Sequence, residues 1–209
     1  MRTRSMRPTR LLSALTMVGA VVLLTACAPQ NPAISEVEPV EFPEPTAVEP
    51  GSLLALGDAA WVEQASAGNS YLLGVAVLDI VEGEPWIWKN FQNADELDDL
   101  TPYFVIVQRQ WLSADGKYDI SLYPVLSDGT DGYLMETDAF GAINPATCDD
   151  LSLGLPHLTD AMERFDCLLT AAPQGLSVTG MVYDGTFARE GGNLDPTAYL
   201  DAPVIWTSK

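Results

Sequence analysis

Residues 103–111 read Tyr103-Phe104-Val105-Ile106-Val107-Gln108-Arg109-Gln110-Trp111. Aromatic and β-branched side chains fill the first five places, and these are the residue types that fit a pleated strand. With a period of two, Tyr103, Val105, Val107, Arg109 and Trp111 share one face. Phe104, Ile106, Gln108 and Gln110 share the other. The apolar start predicts burial on both faces, and the polar tail predicts a wet outer face towards the end.

The same pattern extends outward in both directions. Upstream, residues 71–81 (YLLGVAVLDIV) form a nearly continuous apolar run, as a buried strand does, and Glu82-Gly83-Glu84-Pro85 is a turn signal. Residues 58–64 read as a short opening strand after Gly57. Downstream, Asp115-Gly116 signals a hairpin into a strand over 118–126, where Pro124 predicts an edge or a bulge. Further strands are expected at 133–137, 167–172, 176–183 and 202–207. Helix is confined to a single turn within 93–100, capped by Asn93, and a brief segment at 158–166. Many short strands between turns predict an all-β, antiparallel sandwich over residues 53–209, with one or two short helical turns. No internal repeat is visible, which argues against a propeller or solenoid.

The 209 residues carry 10 basic and 29 acidic side chains, a formal net charge of −19. Arg2, Arg4, Arg7 and Arg10 all precede residue 27 and no acid does, so the remainder carries 6 basic and 29 acidic groups, a net of −23. Such a surface repels phosphate backbones, so nucleic-acid partners are excluded and docking of the folded part on anionic lipid is disfavoured. A hydrophobic content of 47% with 18 aromatic residues is enough for one sizeable core.

Residues 1–26 have the basic start and short apolar run of an export signal, too short for a comfortable membrane span. The run ends in Leu24-Thr25-Ala26-Cys27, which resembles the lipobox of bacterial lipoproteins. The resemblance implies cleavage before Cys27, a diacylglyceryl group on its thiol, and a place on the extracytoplasmic face of the cell membrane. Residues 27–52 then read as a tether. In the stretch 28–50, six of 23 residues are Pro, five are Glu and none is basic. Proline excludes helix, like charges extend the chain, and the upper reach is on the order of 70 Å in polyproline II geometry. The alternative is an ordered arm packed on the domain.

In an exported chain the two remaining cysteines, Cys148 and Cys167, are expected to pair. The loop would span about 20 residues and stabilise the fold by on the order of 3 kcal/mol. The lipobox, the Pro/Glu tether, Thr101-Pro102-Tyr103-Phe104-Val105 leading a strand, and Cys148 paired with Cys167 together resemble small immunoglobulin-like domains of unknown function on lipoproteins of high-GC Gram-positive bacteria. The resemblance implies an immunoglobulin-like sandwich at the cell surface and no specific activity.

Signatures of catalysis are missing from the sequence. Gly175-Leu176-Ser177-Val178-Thr179-Gly180 misses the GxSxG spacing of a nucleophile elbow, and His157 is the single histidine. There is no P-loop and no GxGxxG, so no cofactor is expected. Asp128, Asp131 and the cluster Asp95, Glu96, Asp98 and Asp99 are hard oxygen ligands in loops, but the Asp128–Asp131 segment lacks the register of an EF-hand; a turn and a solvated acidic face are expected rather than a weak calcium site, and no metal site is assigned. Trp61, Trp111 and Trp206 fall within strands and are expected in the core. Trp86 and Trp88 follow a proline turn and either form an exposed pair or cap the sandwich. With Phe91, Asp95 and Asp98 they are the candidate partner-binding residues: aromatic anchors beside a charged rim. The expectation is a non-enzymatic, membrane-anchored module that binds a protein or wall partner; the alternative is a carrier of an apolar ligand.

Overall fold

The computed structural model describes residues 37–66, 69–91, 93–112, 121–135, 162–185 and 198–208. These lie in one unit, Asn31–Lys209. Its strands are β1 (Leu53–Ala55), β2 (Ala59–Ser66), β3 (Asn69–Glu82), β4 (Leu100–Trp111), β5 (Tyr123–Leu126), β6 (Tyr133–Leu134), β7 (Glu163–Pro173), β8 (Val178–Tyr183) and β9 (Val204–Thr207). A five-stranded sheet runs β2-β3-β4-β7-β6 and a four-stranded sheet runs β1-β9-β8-β5. Neighbours are antiparallel except β1, which pairs in parallel with β9. The two sheets pack on each other, and the fold is an all-β sandwich.

Strand β4 lies at the centre of the larger sheet, and the two faces read from its sequence are the two faces observed. Val105, Val107 and Trp111 point inward with Val62, Leu73 and Val75. Met181, Tyr183, Val204 and Trp206 of the smaller sheet meet them. The apolar run of β3 keeps this alternation through a bulge: the register shifts between Val77 and Asp79, so Leu78 is the extra residue and Ile80 turns back towards the core. Pro124 sits on edge strand β5, with a register shift just after it at Val125 and Leu126. Trp61, Trp111 and Trp206 are buried.

Several expectations are corrected. Residues 163–166 are extended and begin β7, so the helix expected there is absent from its described part; alternation of Arg164 and Asp166 with Phe165 and Cys167 is a period of two, and β4 offers its whole length as a partner. The polar tail of β4 is not wet. Gln108 is 1% exposed and Arg109 3%. The cover over Gln108 is the segment expected to be a free tether. From Val37 onward it is a packed arm. Val40 donates its N–H to the Gln108 Oε1 at 2.8 Å, and Gln108 Nε2 donates to Val40 O at 3.1 Å. Phe42 lies against the Trp61 ring at 5.6 Å. Ala47 bridges Trp61 in parallel, and Val48 N–H donates to Trp61 O at 2.7 Å, covering the free edge of β2. The arm packs because its apolar residues point to the sheet while Glu38, Glu41, Glu44 and Glu49 remain exposed.

The hairpin signal Asp115-Gly116, His157, Cys148, Cys27 and the whole leader lie outside the described residues. Cys167, on the outer face of β7 beside Ile106, is disulfide-bonded.

Candidate functional site

The chain leaves β3 through Gly83, where a Cβ would lie 2.8 Å from Ile87 Cδ1 and Phe104 Cε2; only glycine allows so close a return. Pro85 then opens a 3-10 turn over Pro85–Asn90, and Ala94–Glu96 forms a second. This excursion folds back over the outer face of β4 and β7. Trp88 is 2% exposed and Phe91 3%, their rings 5.6 Å apart and edge to face. Ile87, Leu97, Phe104, Met135, Leu169 and Ala171 complete this second core. The Trp88 indole N–H donates to Leu100 O at 2.8 Å, so the buried polar atom is satisfied. Trp86 is half-buried against the same cluster.

The aromatic half of the expected interface is therefore corrected. Trp88 and Phe91 are a plug, because β4 presents Phe104 on its outer face and that apolar surface needs cover. Asp95 and Asp98 behave differently: both are exposed, as are Glu96 and Asp99. What the structure brings together is a groove of about 280 Å³ lined by Asn93, Glu96, Leu97, Asp99, Tyr133 and Met135. Leu100 closes its floor. Its walls are fixed by the main chain: Gln174 donates its N–H to Asp99 O at 3.0 Å and its Nε2 to Asp98 O at 3.3 Å. Asn93 Nδ2 donates to Glu96 Oε2 at 3.3 Å. Tyr133 stands 52% exposed at the rim. Carboxylates and a phenol at the mouth, with Leu97 and Met135 beneath, suit a cationic group carried on an apolar stem.

Tyr133 and Met135 were not legible as site residues, because their place depends on β6 pairing beside β7 across a long sequence gap. A second charged group was hidden only in part. Arg109 Nε lies 2.8 Å from Asp166 Oδ2, Arg164 Nε lies 2.8 Å from Asp166 Oδ1, and the Arg164 guanidinium stacks 5.0 Å over the Trp111 ring. Here the signal existed, since Arg109 shares the inward face of Val107 and Trp111.

Asp128 is used by its own turn. Its Oδ1 accepts from the Thr130 N–H at 3.0 Å and the Thr130 hydroxyl at 2.6 Å, and these bonds hold its carboxyl below the usual range. Among the described residues no three His, Cys, Asp or Glu side chains converge as a metal would require. Comparison with protein-family models, curated proteins and solved structures finds no match.

Proposed function

We propose that the protein is a lipid-anchored cell-envelope surface module, non-enzymatic, that captures a protein or wall partner in the acidic groove beside Tyr133. The observation that carries the binding reading is the groove itself, whose acids stand on a stretch of chain made rigid by the Trp88 plug. Loops held on a rigid sandwich are where such domains bind, and exposed charge of one sign speeds encounter with a cationic partner. The anchoring reading rests on Leu24-Thr25-Ala26-Cys27. Nine residues lie between Cys27 and the packed Val37, so the contour of those ten steps limits the distance from anchor to arm to about 35 Å. That is about half the reach a tether over the whole Pro/Glu stretch would have. The disulfide at Cys167 is assigned to Cys148, the one other cysteine left once Cys27 is lipidated.

The alternative, a carrier of an apolar ligand, gains no support from the core. Such a carrier needs open space between the sheets, where Leu122, Met181, Tyr183 and Trp206 are packed.

Two measurements test the proposal. Cys27→Ala should move the protein from the membrane fraction to the soluble extracytoplasmic fraction or leave it unprocessed; unchanged partitioning and mass defeat the anchor. In a pull-down from detergent-solubilised envelope, Glu96→Lys with Asp99→Lys should abolish capture of the partner. Both residues are exposed, so the melting curve should shift by no more than about 1 kcal/mol in stability. Undiminished capture defeats the groove.

A further inference from the structure

The arm over residues 37–48 is held in a manner unlike the strands it covers. It crosses the larger sheet from β4 to β3 to β2, meeting Gln108, then Gly74, then Trp61. At each crossing a feature of the sheet reads the extended chain. The Gln108 amide pairs with both the N–H and the C=O of Val40, as a neighbouring strand would. The Trp61 indole N–H donates to Pro43 O at 2.7 Å. Gly74 forms the notch for Phe42: a Cβ at position 74 would lie 2.7 Å from Phe42 Cδ1 and Cε1. Pro43 has no N–H to satisfy. An aromatic surface whose indole bonds a carbonyl of a proline-containing extended segment is a general way of recognising peptides.

Little apolar surface binds the arm. Val37 is the one buried residue along it; Val40, Phe42, Ala47 and Val48 are half-buried, Val48 against the inter-sheet core, and the rest are exposed. A segment held in this way opens at lower cost than the sandwich unfolds. It is joined to β1 through the turn around Gly51, whose φ of 79° is the left-handed conformation that glycine favours.

We propose that the outer face around Gln108, Gly74 and Trp61 is a receptor site for an extended acidic, proline-containing segment, with residues 37–48 as its resident ligand and the arm of a second copy as the partner that replaces it. A second copy presents the same Val40-Glu41-Phe42-Pro43 stretch, so every contact is reproduced, and exchange of an identical element is a low-cost route to association. This inference goes beyond the proposed function and needs neither the lipid anchor nor the acidic groove.

The test uses the full chain and a fluorescently labelled peptide of residues 37–48. Phe42→Ala empties the Gly74 notch while leaving the receptor face intact. This variant should bind the peptide saturably. The unaltered chain should bind it at least about tenfold more weakly, because its own arm occupies the site in nearly every molecule. Adding Gly74→Ala to Phe42→Ala fills the notch and should abolish the binding. Four results overturn the proposal. One is a Phe42→Ala chain that melts cooperatively and binds no peptide. A second is equal binding of a scrambled peptide, and a third is undiminished binding by the double variant. The last is loss of cooperative melting in Phe42→Ala, which makes the arm an inseparable part of the core.

Discussion

Asp166 is a partner that helps a guanidinium sit inside this sandwich. Arg109 has 4% of its side chain exposed, whereas Arg164, on the other side of the same carboxylate, keeps 46%. The two ion pairs are therefore unequal. The exposed one contributes little, and the buried one contributes chiefly by cancelling a charge that would be costly alone. Asp166→Asn preserves shape and removes that cancellation. It should lower stability by about 3 kcal/mol, measured as a shift of the urea midpoint. Arg109→Met combined with Asp166→Leu should recover most of the loss, because it removes the need along with the partner. A midpoint unmoved by Asp166→Asn contradicts this account. Arg109 shows what was legible at this scale. Alternation along β4 placed it inward, but a carboxylate that pairs with it comes from β7, 57 residues later.

At the scale of elements, the plug over Pro85–Leu100 and the arm over 37–48 share one cause. A five-stranded sheet packed against a four-stranded one has an outer face that still carries Phe104, Ile106 and Trp61. The plug covers the β4–β7 end and the arm covers the β2–β4 end. Trp88→Ala should therefore cost about 3–5 kcal/mol, as large truncations in cores do, and a thermal or urea melt reads it directly. A loss under about 1 kcal/mol would return Trp88 to the surface. The inner faces were legible because period two is a local signal, as in β4, and Pro124 correctly marked an edge and a bulge. The covers were not. Six prolines and five glutamates read as an extended tether, and what holds its described part is a distant glutamine on the Val40 backbone, a glycine under the Phe42 ring and a tryptophan on the Pro43 carbonyl. The site followed the same rule: Asp95 and Asp98 were legible as exposed acids within a loop, but the groove is lined by their neighbours Glu96 and Asp99 and needs β6 for its other side.

Over the whole molecule, the buried tyrosines join the arm, β2 and the smaller sheet, and they set an alkaline limit to stability. Tyr183 donates its hydroxyl to Glu63 O at 2.8 Å, Tyr199 donates to Val48 O at 2.8 Å, and their rings lie 5.4 Å apart. Burial pushes the Tyr183 hydroxyl far above its ordinary value, with the neighbouring Tyr199, Asp184 and Glu63 adding to the effect. Burial likewise raises Tyr199, and it raises Tyr103 with help from Glu82. A phenol raised in the fold stays protonated at a pH where the unfolded chain has already ionised. Its contribution is thus fully present below about pH 10 and is lost as the pH climbs towards the folded value. For Tyr183, which is fully buried, the loss is about 1.4 kcal/mol for each pH unit above 10. Tyr183→Phe should therefore behave in two ways at once. At pH 8 it should be less stable by about 1 kcal/mol, through the missing bond to Glu63 O. Between pH 10 and 11.5 its urea midpoint should fall less steeply than that of the unaltered chain, so the two curves converge. Parallel curves over that range would show that the hydroxyl ionises in the fold as freely as in water, and would remove Tyr183 from the alkaline limb.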